Sequence, residues 1–260
     1  MSLIVIGFLA SFFAGIATSI GALPVFFIKK ISEKFEDTSL GFAAGVMLAA
    51  SFFSLIIPGL DYAEELLGLS ELGAFFNVIS GVIAGALIIW WIQAKAPHEH
   101  FVLGQTHNAE QKLKLSKIWL FVIAITLHNI PEGLAVGVGF GGGDIARGTS
   151  LAIGIGLQNM PEGLAVAFSL MTVGYSRVRS FVIATITGLF EPLFGLLGVS
   201  VVTFFLPILP WALGFAGGAM LFVISHEIIP ETHRRGHENY ATAGFLVGLI
   251  IMMSLDVLLG

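Results

Sequence analysis

Two near-identical decapeptides hold the residues best suited to chemistry: LHNIPEGLAV at 127–136 and LQNMPEGLAV at 157–166. Each carries an acid (Glu132, Glu162), an amide (Asn129, Asn159), an imidazole or second amide (His128, Gln158) and a proline, all inside a long apolar run. An ionised side chain at the centre of a bilayer costs roughly 3 kcal/mol on insertion scales, so such groups mark function by default. Residues i and i+4 of a helix share a face, which points His128 with Glu132 and Gln158 with Glu162, and sets Asn129 and Asn159 beside them. Two facing carboxylates repel each other, and a captured divalent cation turns that repulsion into attraction. One imidazole, two carboxylates and several amide oxygens suit zinc, iron or manganese without choosing among them. Carboxylates shared between neighbouring ions would let the site hold two metals. With no cysteine in the chain, thiolate ligands and disulfides are both excluded.

Other residues extend the set. Glu191–Pro192 repeats the acid-plus-proline pairing and is a candidate ligand. Met47, Ser51 and Ser54 fall at i, i+4 and i+7, a polar stripe in an Ala, Phe and Leu context, although core packing is the commoner role of a lone methionine. His226, Glu227, Glu231 and His233 follow one another down a later run, and Asp256 lies in the last one; these read as steps along a cation route. Hydrogen-bonded glue between helices explains a single Asn or Gln equally well. It explains poorly a matched set of one His, two Glu, two Asn and one Gln.

The elements that position these groups must be membrane helices. Of the residues, 56% are apolar and 11% charged, a balance rarely found in water-soluble domains. Spanning takes about 20 apolar residues, and runs of that length occupy 3–28, 40–60, 75–94, 118–140, 149–173, 181–204, 211–233 and 241–259. The expectation is a single all-α transmembrane domain of eight helices. The first run begins without a basic leader or clear cleavage site and reads as a retained span rather than a signal peptide. Pro131 and Pro161, lacking an N–H, free the carbonyls of Leu127 and Leu157 and should kink their helices. At about 1.5 Å per residue His128 lies roughly 16 Å from Lys117, and Gln158 a similar distance from Arg147, which brings both motifs to mid-membrane. Gly133 and Gly163 permit close helix contact.

Eleven of the twelve Lys and Arg residues fall in alternate connectors, around 29–34, 95–117, 177–179 and 234–235. Basic residues accumulate on the cytoplasmic side, so both termini are expected outside the cytoplasm in a multi-pass plasma or inner membrane protein. The two motifs then run antiparallel, with three spans before and three after, which predicts a 3+2+3 inverted repeat of the kind that places a substrate site at the midplane. The connector 95–117 carries PHEHF at 97–101 and His107; it reads as a solvated linker, with loose metal binding as the alternative. No basic tract suggests nucleic acid.

At HNIPEG, QNMPEG and HEIIPETHR (226–234) the chain resembles the ZIP family of divalent-metal transporters, and specifically its prokaryotic GufA-like branch. The resemblance covers essentially the whole chain. It implies a binuclear centre in which Glu132 and Glu162 bridge, one ion being held by His128 and Gln158 with Met47, the other by Asn129, Asn159 and Glu191. It places His226, Glu227 and Asp256 along the route, implies zinc, iron, manganese, cobalt or cadmium as substrate carried toward the cytoplasm, requires no prosthetic group, and adds pairing into a homodimer in the lipid bilayer. Many members carry His where this chain has Gln158, and some carry Asp at Asn159; a neutral amide should hold a cation less firmly.

Rival readings are a metal-gated channel and a metal sensor built from the same ligands. An intramembrane metalloprotease would need H-E-x-x-H, and residue 230 is Pro. A transporter rather than an enzyme is therefore expected.

Overall fold

The computed structural model describes residues 1–95 and 109–259, so the expectations placed on the PHEHF segment and His107 lie outside the described residues. Within them the chain is all-helical. Hydroxyl and carboxylate caps begin several helices: Ser2, Ser32, Asp144 and Ser176 accept from the backbone N–H of Val5, Phe35, Arg147 and Arg179. The order is α1 (Leu3–Ala22), α2 (Glu33–Ala49), α3 (Ile57–Leu67), α4 (Glu71–Lys95), α5 (Ala109–Gly141), α6 (Ile145–Thr172), α7 (Arg177–Gly188), α8 (Glu191–Phe204), α9 (Leu209–Val223), α10 (Ile229–His233) and α11 (Glu238–Leu259).

Several of these join end to end. Seven helical rods among the described residues are long and apolar enough to cross a membrane. The 28-residue α6 is not one of them, because Arg147, Gln158, Asn159 and Glu162 dilute its apolar content. This is a multi-pass membrane protein.

Prolines shape three of the rods. A π-helical stretch, Ala50–Ile56, joins α2 to α3, and another, Ile224–Ile228, joins α9 to α10; each is followed by a proline, Pro58 or Pro230. Proline cannot donate to the carbonyl four residues back and its ring crowds that carbonyl, so the ladder widens there. The apolar run 181–204 is not one helix: α7 stops at Gly188 and α8 starts afresh at Glu191, with Pro192 in its first turn. By contrast α5 and α6 continue as helix on both sides of Pro131 and Pro161.

Packing is organised by glycine. Helix α1 pairs with α6, α5 with α8, α2 with α11 and α4 with α9. In each pair a glycine of one helix lies against backbone of the other: Gly163 on Thr18, Gly133 on Glu191, Gly45 on Phe245, and Gly85 on Phe215. A Cβ at any of these would overlap a carbonyl, so small residues decide which helices approach. Two groups result, one of α1, α5, α6, α7 and α8, the other of α2, α3, α4, α9 and α11, meeting mainly where α2 touches α6 and α5 touches α9.

Candidate metal centre

The two PEG helices form a hairpin closed by a turn of three residues. Gly143, with φ +87, makes that turn possible, and Asp144 caps the next helix. In both motifs the glycine follows the glutamate, so a third backbone is drawn in beside each acid: α8 beside Glu132 and α1 beside Glu162. The contact at Gly133 is with Glu191 itself, which brings that carboxylate to the hairpin from the first residue of α8.

Seven of the expected ligands are buried on α5, α6 and α8. His128, Asn129, Glu132, Gln158, Asn159, Glu162 and Glu191 all have 0–1% exposure. Gln158 donates its amide N–H to Glu132. Asn159 Nδ2 donates to the Ala14 carbonyl (2.9 Å) and to Glu191 Oε1 (2.5 Å). Asn129 Nδ2 donates to the Ile125 carbonyl (2.7 Å), and His128 Nδ1 donates to the Ala124 carbonyl (2.6 Å). A carbonyl oxygen can only accept, so these contacts fix both amide orientations and the imidazole tautomer.

What they leave over is one type of atom. His128 Nε2, Asn129 Oδ1, Glu132 Oε2, Gln158 Oε1, Asn159 Oδ1, Glu162 Oε1 and Glu191 Oε2 are buried and have no hydrogen-bond partner among the described residues. Each is a lone-pair donor. A buried acceptor left unmet costs about 1–3 kcal/mol, so a cluster of them calls for a positive guest. The three glutamates are also close enough to repel one another. Among the described residues no three His, Asp or Glu side chains stand together in a grip for an ion; the interleaved amides are needed to complete any ligand set.

The remaining candidates are distributed around this core. Met47 is fully buried in the apolar cluster that includes Val136, Leu151 and Ile155. Glu227 Oε2 lies 3.2 Å from His128 Nδ1. His226 stacks on Phe222 with ring centroids 5.0 Å apart, and His233 Nδ1 lies 2.9 Å from the Ile229 carbonyl. Glu231 pairs with Arg234 at 2.7 Å. Ser54 donates to Asp256 at 2.9 Å.

Two cavities of unequal size lie along the hairpin among the described residues. A cavity of about 290 Å³, lined in part by Phe121, His128, His226, Glu227 and Glu231, reaches the cluster from the α10 end. At the other end, around Ser54, Tyr62, Asp144 and Arg147, the space is about 10 Å³, room for one water at most.

Two features were not picked out from the sequence. Gln93, buried near the end of α4, donates to Glu227; its sequence position beside Trp90 and Trp91 suggests only an interfacial helix end. Glu36 and Asp37 bind the 234–237 connector through Arg235 and His237. SLIIP at 54–58 parallels HEIIP at 226–230 in the two π-helical regions, a second signal for Ser54 beside its stripe with Met47 and Ser51.

The sequence is similar to known proteins. A family model described as ZIP zinc transporter matches residues 92–256. The chain is 45% identical over 244 residues to the zinc transporter ZIPB of Bordetella bronchiseptica, covering 94% of this chain and 78% of that one. It is 43% identical over 254 residues to the zinc transporter GufA of Myxococcus xanthus, with 98% and 99% covered, and 33% identical over 335 aligned positions to human zinc transporter ZIP11, with 97% and 96% covered. With PEG motifs on a paired hairpin, a third acid on α8 and near full-length likeness to ZIPB and GufA, this chain belongs to the ZIP zinc transporter family, as a prokaryotic GufA-like member.

Proposed function

We propose that the chain moves divalent transition-metal cations, zinc foremost and cadmium, iron, manganese and cobalt with it, across the plasma or inner membrane toward the cytoplasm. The observation that carries this reading is the set of seven buried, donor-less lone-pair atoms on α5, α6 and α8. A divalent cation would satisfy them together, and likeness to zinc transporters supports reading that cation as cargo.

The centre is binuclear. Glu132 and Glu162 bridge; His128 and Gln158, with the Met47 thioether as a soft donor, hold one ion, while Asn129, Asn159 and Glu191 hold the other. His226, Glu227, Glu231 and His233 serve the inner part of the route, Ser54 and Asp256 the outer part. One open and one closed end is the arrangement alternating access requires, with the open end toward the cytoplasm.

The membrane domain has eight spans, α6 being the eighth, with both termini outside the cytoplasm and the 95–117 connector inside. Helix pairing supports the 3+2+3 inverted repeat. A two-fold axis exchanging α5 with α6 converts α1–α6 packing into α8–α5 packing, and α2–α11 into α9–α4, which are the four main pairs. It also exchanges the two π-helical regions. Two copies form a homodimer in the bilayer.

Zinc uptake by the purified protein in proteoliposomes, with cadmium, manganese and iron as competitors, tests the function. Slow saturable uptake is expected, abolished in Glu132→Ala and Glu162→Ala with membrane insertion intact. Fast linear flux would indicate a channel, binding without flux a sensor, and wild-type uptake in either variant would overturn the site.

A further inference from the structure

A cavity of about 730 Å³ is lined by none of the seven buried lone-pair residues and has a chemistry of its own. Its walls come from the ends of membrane-length rods. The first rod, Leu3–Phe26, stops just before Lys29 and Lys30; Glu33 starts the second; Ile118 starts the apolar part of α5; and Leu206–His233 stops just before Arg234. Rods that cross a bilayer end in its headgroup layer, so the cavity lies at that depth. Phe27 and Ile28, 84% and 46% exposed, precede the two lysines on the lipid side of that layer.

The charges in the cavity leave a small positive remainder. Arg235 is taken up by Glu36 at 2.6 Å and Arg234 by Glu231 at 2.7 Å. Lys29, Lys30 and Glu33 are exposed and form no ion pair among the described residues, a balance of one positive charge. A phosphodiester carries one negative charge. Arg234 adds N–H groups beyond the one given to Glu231, since a guanidinium has five. Behind the charges the wall is apolar: Ile118, Phe121 and Met171 pack on the buried cluster that includes Phe168. A soluble anion has no use for that wall, whereas the upper methylenes of an acyl chain do.

We infer that this cavity is a binding site for one anionic phospholipid of the adjoining leaflet. The phosphodiester sits on Lys29 and Lys30 beside Arg234, and the start of an acyl chain lies on Ile118, Phe121, Phe168 and Met171. Basic pockets between membrane helices suit such headgroups. The walls belong to both helix groups, α5 and α6 on one side and α2 with α10 on the other, so the lipid joins the groups at this end. The inference does not depend on the metal centre.

The test is native mass spectrometry of the full-length protein released from mixed micelles holding equal phosphatidylglycerol and phosphatidylcholine. Wild type should retain one phosphatidylglycerol, preferred about fivefold over phosphatidylcholine, the factor for one basic charge beside an anionic headgroup. Lys29→Gln/Lys30→Gln should lose the preference while its thermal midpoint in phosphatidylcholine micelles stays that of wild type. Arg179→Gln removes an exposed charge at the same end that does not line the cavity, and should keep the preference. Inorganic phosphate in large excess should not displace the lipid. Equal retention of the two lipids by wild type would overturn the inference. So would an equal loss in Arg179→Gln, which would mean diffuse attraction to the surface, or displacement by phosphate, which would mean a site for soluble anions.

Discussion

Two groups of buried carboxylates in this molecule are treated in opposite ways. At the start of α2, Glu36 and Asp37 are 8% and 0% exposed, and the connector after α10 supplies their counter-charges. Arg235 donates to both oxygens of Glu36, at 2.6 and 3.3 Å, and His237 Nδ1 donates to Asp37 at 2.8 Å. The bond to Glu36 raises the Arg235 pKa further above its ordinary value, with burial acting against it. At the centre, Glu132, Glu162 and Glu191 are buried too, but Glu132 and Glu191 receive only amide N–H groups from their neighbours. The first cluster finds its cations within the chain and joins α2 to the 234–237 connector. The second receives no cation from the described residues, which is the place the proposed metal ion takes, and a cavity of about 290 Å³ reaches it.

Supplying the centre with its own cation should break that contrast most severely. In Gln158→Lys an ammonium replaces the amide that already contacts Glu132; zinc uptake should fall more than 100-fold while the thermal midpoint of the metal-free protein rises, both measurable on one preparation. A lower midpoint would mean that the carboxylates do not need a positive partner. Removing the carboxylates sharpens the contrast instead. Wild-type protein at zinc concentrations a hundredfold above its Kd should gain about 2.7 kcal/mol of stability, and Glu132→Gln/Glu162→Gln should gain almost none in a thermal-shift titration. The smallest effect belongs to the other cluster. Arg235→Ala should cost about 1.5–3 kcal/mol, nearer the lower figure because the pair is partly wet, with zinc affinity within twofold of wild type by calorimetry.

How far the sequence could be read follows from which forces are local. His128 with Glu132 and Gln158 with Glu162 are set by helical periodicity alone, so the paired motifs were legible, as was Glu191 through its own proline. The break between Gly188 and Glu191 was not, because the 181–204 run is apolar throughout and hydropathy does not register a missing N–H. Gln93 was hidden for a different reason: its partner Glu227 is 134 residues away, and a polar residue at the end of an apolar run looks interfacial. Met47 carries both readings at once, since its stripe with Ser51 and Ser54 suggests a ligand and the fold buries it in one apolar cluster with Val136 and Ile155, where a thioether can pack and donate alike.

Composition, periodicity and two repeated motifs were enough to determine a membrane-embedded helical bundle with acids inside its apolar runs, because both hydropathy and helical spacing are local properties of the chain. Which oxygens and nitrogens remain free for a cation was decided by tertiary structure. Donation of Asn159 to the Ala14 carbonyl, and the approach of α8 and α1 permitted at Gly133 and Gly163, come from helices distant in sequence. A hydrogen-bond donor already committed to a neighbour's backbone turns an ambiguous amide into an oxygen ligand, and no sequence spacing carries that information.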